Sequence, residues 1–420
     1  MKISLSSPDI NDLEKSKVME VLNTPNLSLG PKLEDFENKF ADYIGCKYAV
    51  AVNSGTSGLH LCVRALDIKD RDVVITSPFS FVASANCILF ERAMPVFVDI
   101  DEKTLNIEIN PLDKKIRELR DGDKNLKAIL PVHIFGRPCE MNEIIKLARK
   151  NDLYVIEDAC EAVGAEYLTE NSQFLSGGSV DYSKKRKQSP NQDDQSSKSR
   201  NGGKIWKKVG TFGECGVFAF YPNKQMTTGE GGMIVTDDEN IYKLCRSMRN
   251  QGRSDDGAWL QHERLGFNYR ISDINCALGI AQLERIDEIL AKRERVARAY
   301  NERLKEVEEL ILPHFEENKK ISWFVYVVRL AGRFSQEDRD VVLRQLKEKG
   351  IGCSNYFLPI HLQPFYREMF GYKKGDFPVT ERVSERTIAL PFYNNLKEEK
   401  IDYVCETLKA IIATLLYELI

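Results

Sequence analysis

The 420-residue chain reads as an α/β protein, with a large domain around a mainly parallel central sheet and a smaller C-terminal α/β domain. Three observations predict this. Short apolar runs alternate with amphipathic stretches from about residue 48 to 236. A long helical pattern then fills residues 273–312. Beyond it, a second and shorter strand–helix series runs to the C-terminus.

The first series places buried strands at Tyr48–Val52, Val73–Ile75, Val96–Val98, Ala128–Pro131 and Tyr154–Ile156. Helix-like segments near 57–66, 80–92, 111–119 and 140–150 separate them. Strands that alternate with helices at this spacing need crossover connections, which give a parallel sheet covered on both faces. Ligands of such sheets bind beyond the carboxyl ends of the strands. Here that edge carries Asn53–Ser57, Ser77–Phe81, His133 and Asp158.

In the second series Leu278, Ala281, Leu283, Ile286 and Ile289 recur at helical spacing, predicting one long helix over 273–312. A strand over Phe324–Leu330 and helices near 336–348 and 397–418 follow, with Gly350 as a stop signal. The expected division is a large domain over 1–260, then the connecting helix and small domain over 261–420. Residues 168–206 break the pattern: they are rich in Ser, Gly, Asn, Gln and Lys and nearly free of aliphatics. Such a stretch buries too little apolar area to offset its ordering entropy, so it reads as a flexible surface insertion. Its basic run Lys184–Lys187 fits a nuclear-import or nucleic-acid patch less well than a solvated charged loop.

Composition narrows the class. Sixty Lys+Arg against 63 Asp+Glu leave a formal net charge of −3, which gives no basic field for nucleic acid or a membrane surface. No apolar run reaches the length of a membrane span. The start, MKISLSSPDINDLEKSK, lacks the apolar core of a signal peptide, so a cytoplasmic enzyme is expected. Ten dispersed cysteines form no C-x-x-C and no zinc spacing, which suits reduced, packed thiols and no metal.

Four features carry chemistry. Asn53-Ser-Gly-Thr-Ser-Gly58 joins a strand to a helix, and such a turn offers free N–H groups and a positive dipole end to a phosphate. A simple helix cap explains the same residues. Asp158 ends the strand YVIED, where it is either a turn residue or a partner that keeps a pyridine nitrogen protonated. Lys224, in GVFAFYPNKQMTTGEGG, is delivered by an apolar run to a glycine-rich turn. A partly buried lysine there can form a Schiff base with an aldehyde. Phe81, in SPFSFVASAN, is either a core residue or a ring that stacks on a planar cofactor.

In order, NSGTSGLHL, PFSFVASANCILFERAMPVFVDID, PVHIFGRP, VIEDACEAVGAEY, KKVGTFGECGVFAFYPNKQMTTGEGG, LGFNYRISDINCALGIAQLERID and FPVTERVSERTIALPFY resemble the DegT/DnrJ/StrS family. These are pyridoxal-phosphate-dependent aminotransferases of fold type I that act on nucleotide-linked keto-sugars. The resemblance spans about residues 5–415 apart from the insertion. It implies that Lys224 is the Schiff-base lysine, Asp158 the partner of the pyridine nitrogen, and Gly55, Thr56 and Ser57 the phosphate cradle. It also implies that Phe81 stacks on the ring and that Asn268 reaches the neighbouring subunit's cofactor phosphate, which requires a homodimer. The cofactor is then pyridoxal 5'-phosphate, the donor glutamate, and the acceptor a nucleotide-linked keto-sugar, with a 4-keto-6-deoxyhexose favoured, for amino-sugar and surface-polysaccharide synthesis.

Three positions depart from the family pattern. Glu161 stands where many relatives have Gln and is expected near the cofactor. Ala219 replaces a serine donor, and Asn355-Tyr-Phe replaces a His-Tyr pair in a loop linked to substrate. Two rival readings remain: a dehydratase of the same fold, in which histidine replaces the anchoring lysine, and a non-enzymatic binding protein. Lys224 argues against the first, and the intact lysine, aspartate and phosphate turn against the second.

Overall fold

A computed structural model describes residues 2–122, 124–170, 203–254 and 261–419. Two helices open the chain, α1 (Asp12–Leu22) and α2 (Pro31–Ile44). The main series follows as β1 (Tyr48–Val52), α3 (Gly55–Ala65), β2 (Asp72–Thr76), α4 (Ala83–Leu89), β3 (Met94–Phe97), α5 (Ile109–Asp121), β4 (Asn125–Ile129), α6 (Met141–Lys150) and β5 (Tyr154–Asp158). After β6 (Glu166–Glu170), β7 (Lys204–Lys208), β8 (Cys215–Ala219) and β9 (Gly232–Thr236) come α7 (Glu239–Arg249), α8 (Asp273–Glu284) and α9 (Ile286–Leu304). The last part holds β10 (Leu310–Ile311), β11 (Lys319–Lys320), β12 (Tyr326–Leu330), α10 (Gln336–Glu348), α11 (Pro364–Phe370), α12 (Pro378–Ser384), β13 (Thr387–Leu390) and α13 (Glu398–Leu419).

The central sheet has the order β1-β9-β8-β5-β4-β2-β3, and β9 alone runs against the rest. Alternation along each strand fills both faces. Val52, Val74, Ile156, Val217 and Ile234 pack on the side of α3 and α7. Ala51, Phe218, Met233 and Val235 pack on the side of α2 and α8. Val73, Ile75, Ile129 and Val155 meet Leu112, Ile116, Ile144 and Ile145 of α5 and α6. A second sheet, β10-β12-β13, packs against α9, α10 and α13 through Val296, Tyr300, Val328, Leu346, Ile388 and Leu408. Ile3 joins this second core, and its N–H reaches the Gly350 carbonyl at 2.9 Å. Gly350 itself ends α10 at φ +79°, the backbone region glycine enters without strain.

The expected strands and helices occur, with ends displaced by three residues or fewer. Two expectations change. The single helix over 273–312 is two helices that end at Leu304, because Arg285 leaves helical geometry and turns into a buried acidic pair. Its Nη1 donates to Glu14 Oε1 at 2.6 Å, and Nη2 lies 3.3 Å from Asp9 Oδ2. Leu310 then pairs with Leu330 in the second sheet. The insertion read over 168–206 is ordered at both ends. Leu168–Glu170 and Lys204–Trp206 form a ladder in which Leu168 faces Trp206 and Glu170 faces Lys204. Cross-strand pairing, and the β11 strand on the other edge of β6, supply what local composition lacks. The flexibility expected between them, and Lys184–Lys187, lie outside the described residues.

Candidate active site

Strand topology brings the candidate residues to one edge of the sheet. Strands β5 and β8 are parallel neighbours with Asp158 opposite Val217, so Asp158 and the loop after Ala219 leave at the same end. Lys224 sits in that loop, which returns as β9. Val52 pairs with Gly232, so the chain leaving β1 starts α3 beside the same loop. Asp158, Lys224 and the first turn of α3 therefore converge because three strand ends are adjacent.

The first turn of α3 is built for close approach. Ser54 caps it, its Oγ accepting the Ser57 N–H at 3.1 Å. Ser57 Oγ donates to Asn53 Oδ1 at 2.6 Å. No side chain could replace the hydrogen of Gly55 without intrusion, since a Cβ there would lie 2.8 Å from both Ala219 Cβ and Cys160 Sγ. Gly58 fits equally closely, with Val217 Cγ1 2.7 Å from the site of a Cβ. The backbone of α3 thus packs directly on side chains at the sheet end, and the positive end of α3 points past the sheet edge.

Asp158 is buried and held at both oxygens. Oδ2 accepts from Ser84 Oγ at 2.6 Å and Oδ1 from the Cys160 N–H at 3.1 Å. Ser84 lies in the first turn of α4 and shares a hydrogen bond with Ser80, so α4 orients the carboxylate. Phe81 precedes that helix and is 61% exposed, although it stands among buried neighbours at the sheet edge. A large ring left uncovered in such a place is suited to a flat ligand.

Lys224 Nζ lies 3.5 Å from Glu161 Oε1 and 3.9 Å from the ring centroid of Phe324. Glu161 Oε2 accepts from the Phe135 N–H at 2.8 Å. Burial pushes the Glu161 carboxyl up, against the opposing pull of Lys224. Tyr356 stacks on Phe324 with ring planes 10° apart, and burial raises its hydroxyl. The adjoining Phe357 stacks on Phe135. Asn355 turns elsewhere, its Nδ2 donating to Ser384 and Thr387.

These residues fit pyridoxal phosphate. The first turn of α3 offers a phosphate the backbone N–H groups of a helix N-terminus, an amine and an oriented carboxylate share one edge, and an exposed ring stands beside them. Asn268 is exposed, and its carbonyl accepts from Asn53 Nδ2 at 3.4 Å, which places it next to the same turn in its own chain. His133, the other strand-end residue, is not part of the site. It is fully buried, accepts the Cys139 N–H at Nδ1 and pairs through Nε2 with Glu157 at 3.0 Å.

The model of the DegT/DnrJ/EryC1/StrS aminotransferase family matches residues 8–409. The chain belongs to this family. It is an aminotransferase of the pyridoxal-phosphate-dependent fold, and pyridoxal 5'-phosphate is its cofactor. Among family relatives, MJ1066 of Methanocaldococcus jannaschii is 39% identical over 97% of this chain and 96% of its own. GDP-perosamine synthase of Caulobacter vibrioides is 35% identical over 98% of each chain. The solved structure of Helicobacter pylori PseC, an aminotransferase involved in pseudoaminic acid biosynthesis, superposes with a TM-score of 0.83. That match covers 99% of this chain and all of PseC at 26% identity.

Sequence reasoning missed Ser84 and Phe324. Ser84 is one of three serines in SPFSFVAS, and only the fold selects it for Asp158. Phe324 reaches Lys224 from the segment before β12, with no local motif to flag it.

Proposed function

We propose that this aminotransferase moves an amino group from glutamate to a nucleotide-linked keto-sugar, a 4-keto-6-deoxyhexose, for amino-sugar or surface-polysaccharide synthesis. The convergence of Lys224, Asp158 and the α3 turn at one sheet edge carries the reading. The Caulobacter relative named for perosamine synthesis and the PseC likeness support the substrate class.

Bound at this edge, the cofactor supplies an electrophilic aldehyde and an electron-withdrawing ring. Lys224 is the residue that anchors it and, once freed, carries a proton at Nζ to and from the substrate carbon. Asp158, fixed by Ser84 and the Cys160 N–H, would be the hydrogen-bond partner of the ring nitrogen. Gly55, Thr56 and Ser57 bind the phosphate, Phe81 covers the ring, and Glu161 lies beside the reacting amine. Asn268 serves the neighbouring subunit's phosphate, so the working unit is a cytoplasmic homodimer. Among the described residues no helix is long and apolar enough to cross a membrane.

The test is a screen of nucleotide keto-sugars with glutamate as donor, scored by 2-oxoglutarate release. Release that depends on one keto-sugar supports the reading; none with any of them rejects the substrate class. Separately, Lys224→Ala should lose the absorbance band of lysine-bound cofactor, and an unchanged spectrum would reject the anchor.

A further inference from the structure

The amine of Lys224 lies where two groups that favour positive charge meet. Glu161 Oε1 is 3.5 Å from Nζ, and the face of the Phe324 ring is 3.9 Å from it. Neither group is free to follow a moving lysine. Glu161 is held by the Phe135 N–H at Oε2, while Gln225 Nε2 donates to its backbone carbonyl. Phe324 is buried, with Tyr356 stacked on it. A carboxyl and a ring face, both buried and both anchored, are a fixed receptor for an ammonium group.

We propose that Glu161 and Phe324 form a resting site for the ε-ammonium of Lys224, filled when the freed lysine holds a proton between transfers. In transamination the lysine is released for part of each cycle and must return. A flexible four-carbon side chain would otherwise lose orientation, and a held one keeps its reach to the reacting carbon. Other titratable groups around Glu161 are Asp158 at the end of β5, the Cys160 thiol and the Tyr356 hydroxyl. Among the described residues, Lys224 is the one positive group in contact with the carboxyl. Glu161 and Phe324 are positioning residues: they act on the substrate only through the lysine. The inference rests on Lys224 as the anchor, which the absorbance of Lys224→Ala tests independently.

The decisive measurement uses full-length enzyme with its cofactor in the amino form, when the lysine is free. Acetic anhydride labels unprotonated amines, and peptide mass spectrometry follows Lys224 from pH 6 to pH 10. Glu161→Gln and Phe324→Leu should each raise labelling at pH 7 roughly fivefold or more, as the charged form loses a partner. At the alkaline end all forms should converge, and Phe324→Tyr, which keeps the ring face, should match the parent. Unchanged labelling at pH 7, or an equal rise at every pH, overturns the proposal, since the latter is what mere opening of the pocket gives. Should Phe324→Leu fail to fold, the near-isosteric Glu161→Gln decides alone by the same profile.

Discussion

Glu157 and Asp158 are consecutive residues of one strand, and they serve opposite faces of the sheet. Asp158 faces α3 and α4, where Ser84 and the Cys160 N–H hold it at the cofactor edge. Glu157 turns the other way and accepts from the N–H groups of Gly210, Phe212 and Gly213 and from His133. The two acids are separated by the period of the strand alone.

Asp158→Asn removes the charge while keeping the shape. The kcat should fall roughly a hundredfold or more with folding intact, because a fixed charge at the reaction centre is lost. Ser84→Ala should lower kcat by less, roughly tenfold, the lower end of the worth of one hydrogen bond to a charged group. Steady-state kinetics beside a thermal melt checks both, and an unaltered kcat in Asp158→Asn would exclude its role.

Glu157→Gln should cost about 3 kcal/mol of stability, since an amide NH2 would face donors that need an acceptor. Its carboxyl is held below the usual glutamate value of 4.5 by His133 and the backbone N–H groups, which outweigh burial. The stability it supplies is therefore complete above that value and is lost as pH falls through the depressed folded pKa. Glu161 has the opposite sign: burial raises its carboxyl, so ionising it costs stability as pH rises past its unfolded value. Denaturant melts across acid pH should show Glu157→Gln flattening the acid limb and Glu161→Gln leaving that limb in place.

Gly55→Ala places a methyl group 2.8 Å from Ala219 Cβ and Cys160 Sγ. Overpacking of this kind costs about 1–3 kcal/mol and also pushes the phosphate turn off the sheet end. Cofactor titration by absorbance should show weaker retention in Gly55→Ala than in Thr56→Ala, which removes only a hydroxyl.

If Asn268 acts across a homodimer, two defective chains should complement each other. Lys224→Ala and Asn268→Asp each impair every site in their own dimers, whereas a mixed dimer has one site with neither defect. Random mixing should restore roughly a quarter of the parent activity per chain. No recovery after subunit exchange would assign Asn268 to its own subunit's site.

Replacing residues 171–203 with a short Asn-Gly turn should close the β6–β7 hairpin, because Glu170 and Lys204 are already paired. Transamination and the melting temperature should stay near the parent values. Cutting deeper, at Leu168 or Trp206, removes ladder pairs and should lower stability measurably.

Much of this was legible in the residues themselves. Apolar alternation located β1 to β5, though not β6, β7 or β9, and the ordered run from NSGTSG to FYPNK placed a helix N-terminus, an acid and a lysine beside one sheet edge. These signals are local, since strand period, turn chemistry and helix start are each set by a few neighbouring residues. Tertiary structure alone decided the rest. It broke the 273–312 helix at Arg285 by offering Asp9 and Glu14 from the chain's beginning. It chose Ser84 for Asp158, Phe324 for Lys224 and a structural role for His133. Each of those pairings joins segments that only the packed sheet brings together, and contact chemistry across such distances leaves no periodic trace in a sequence.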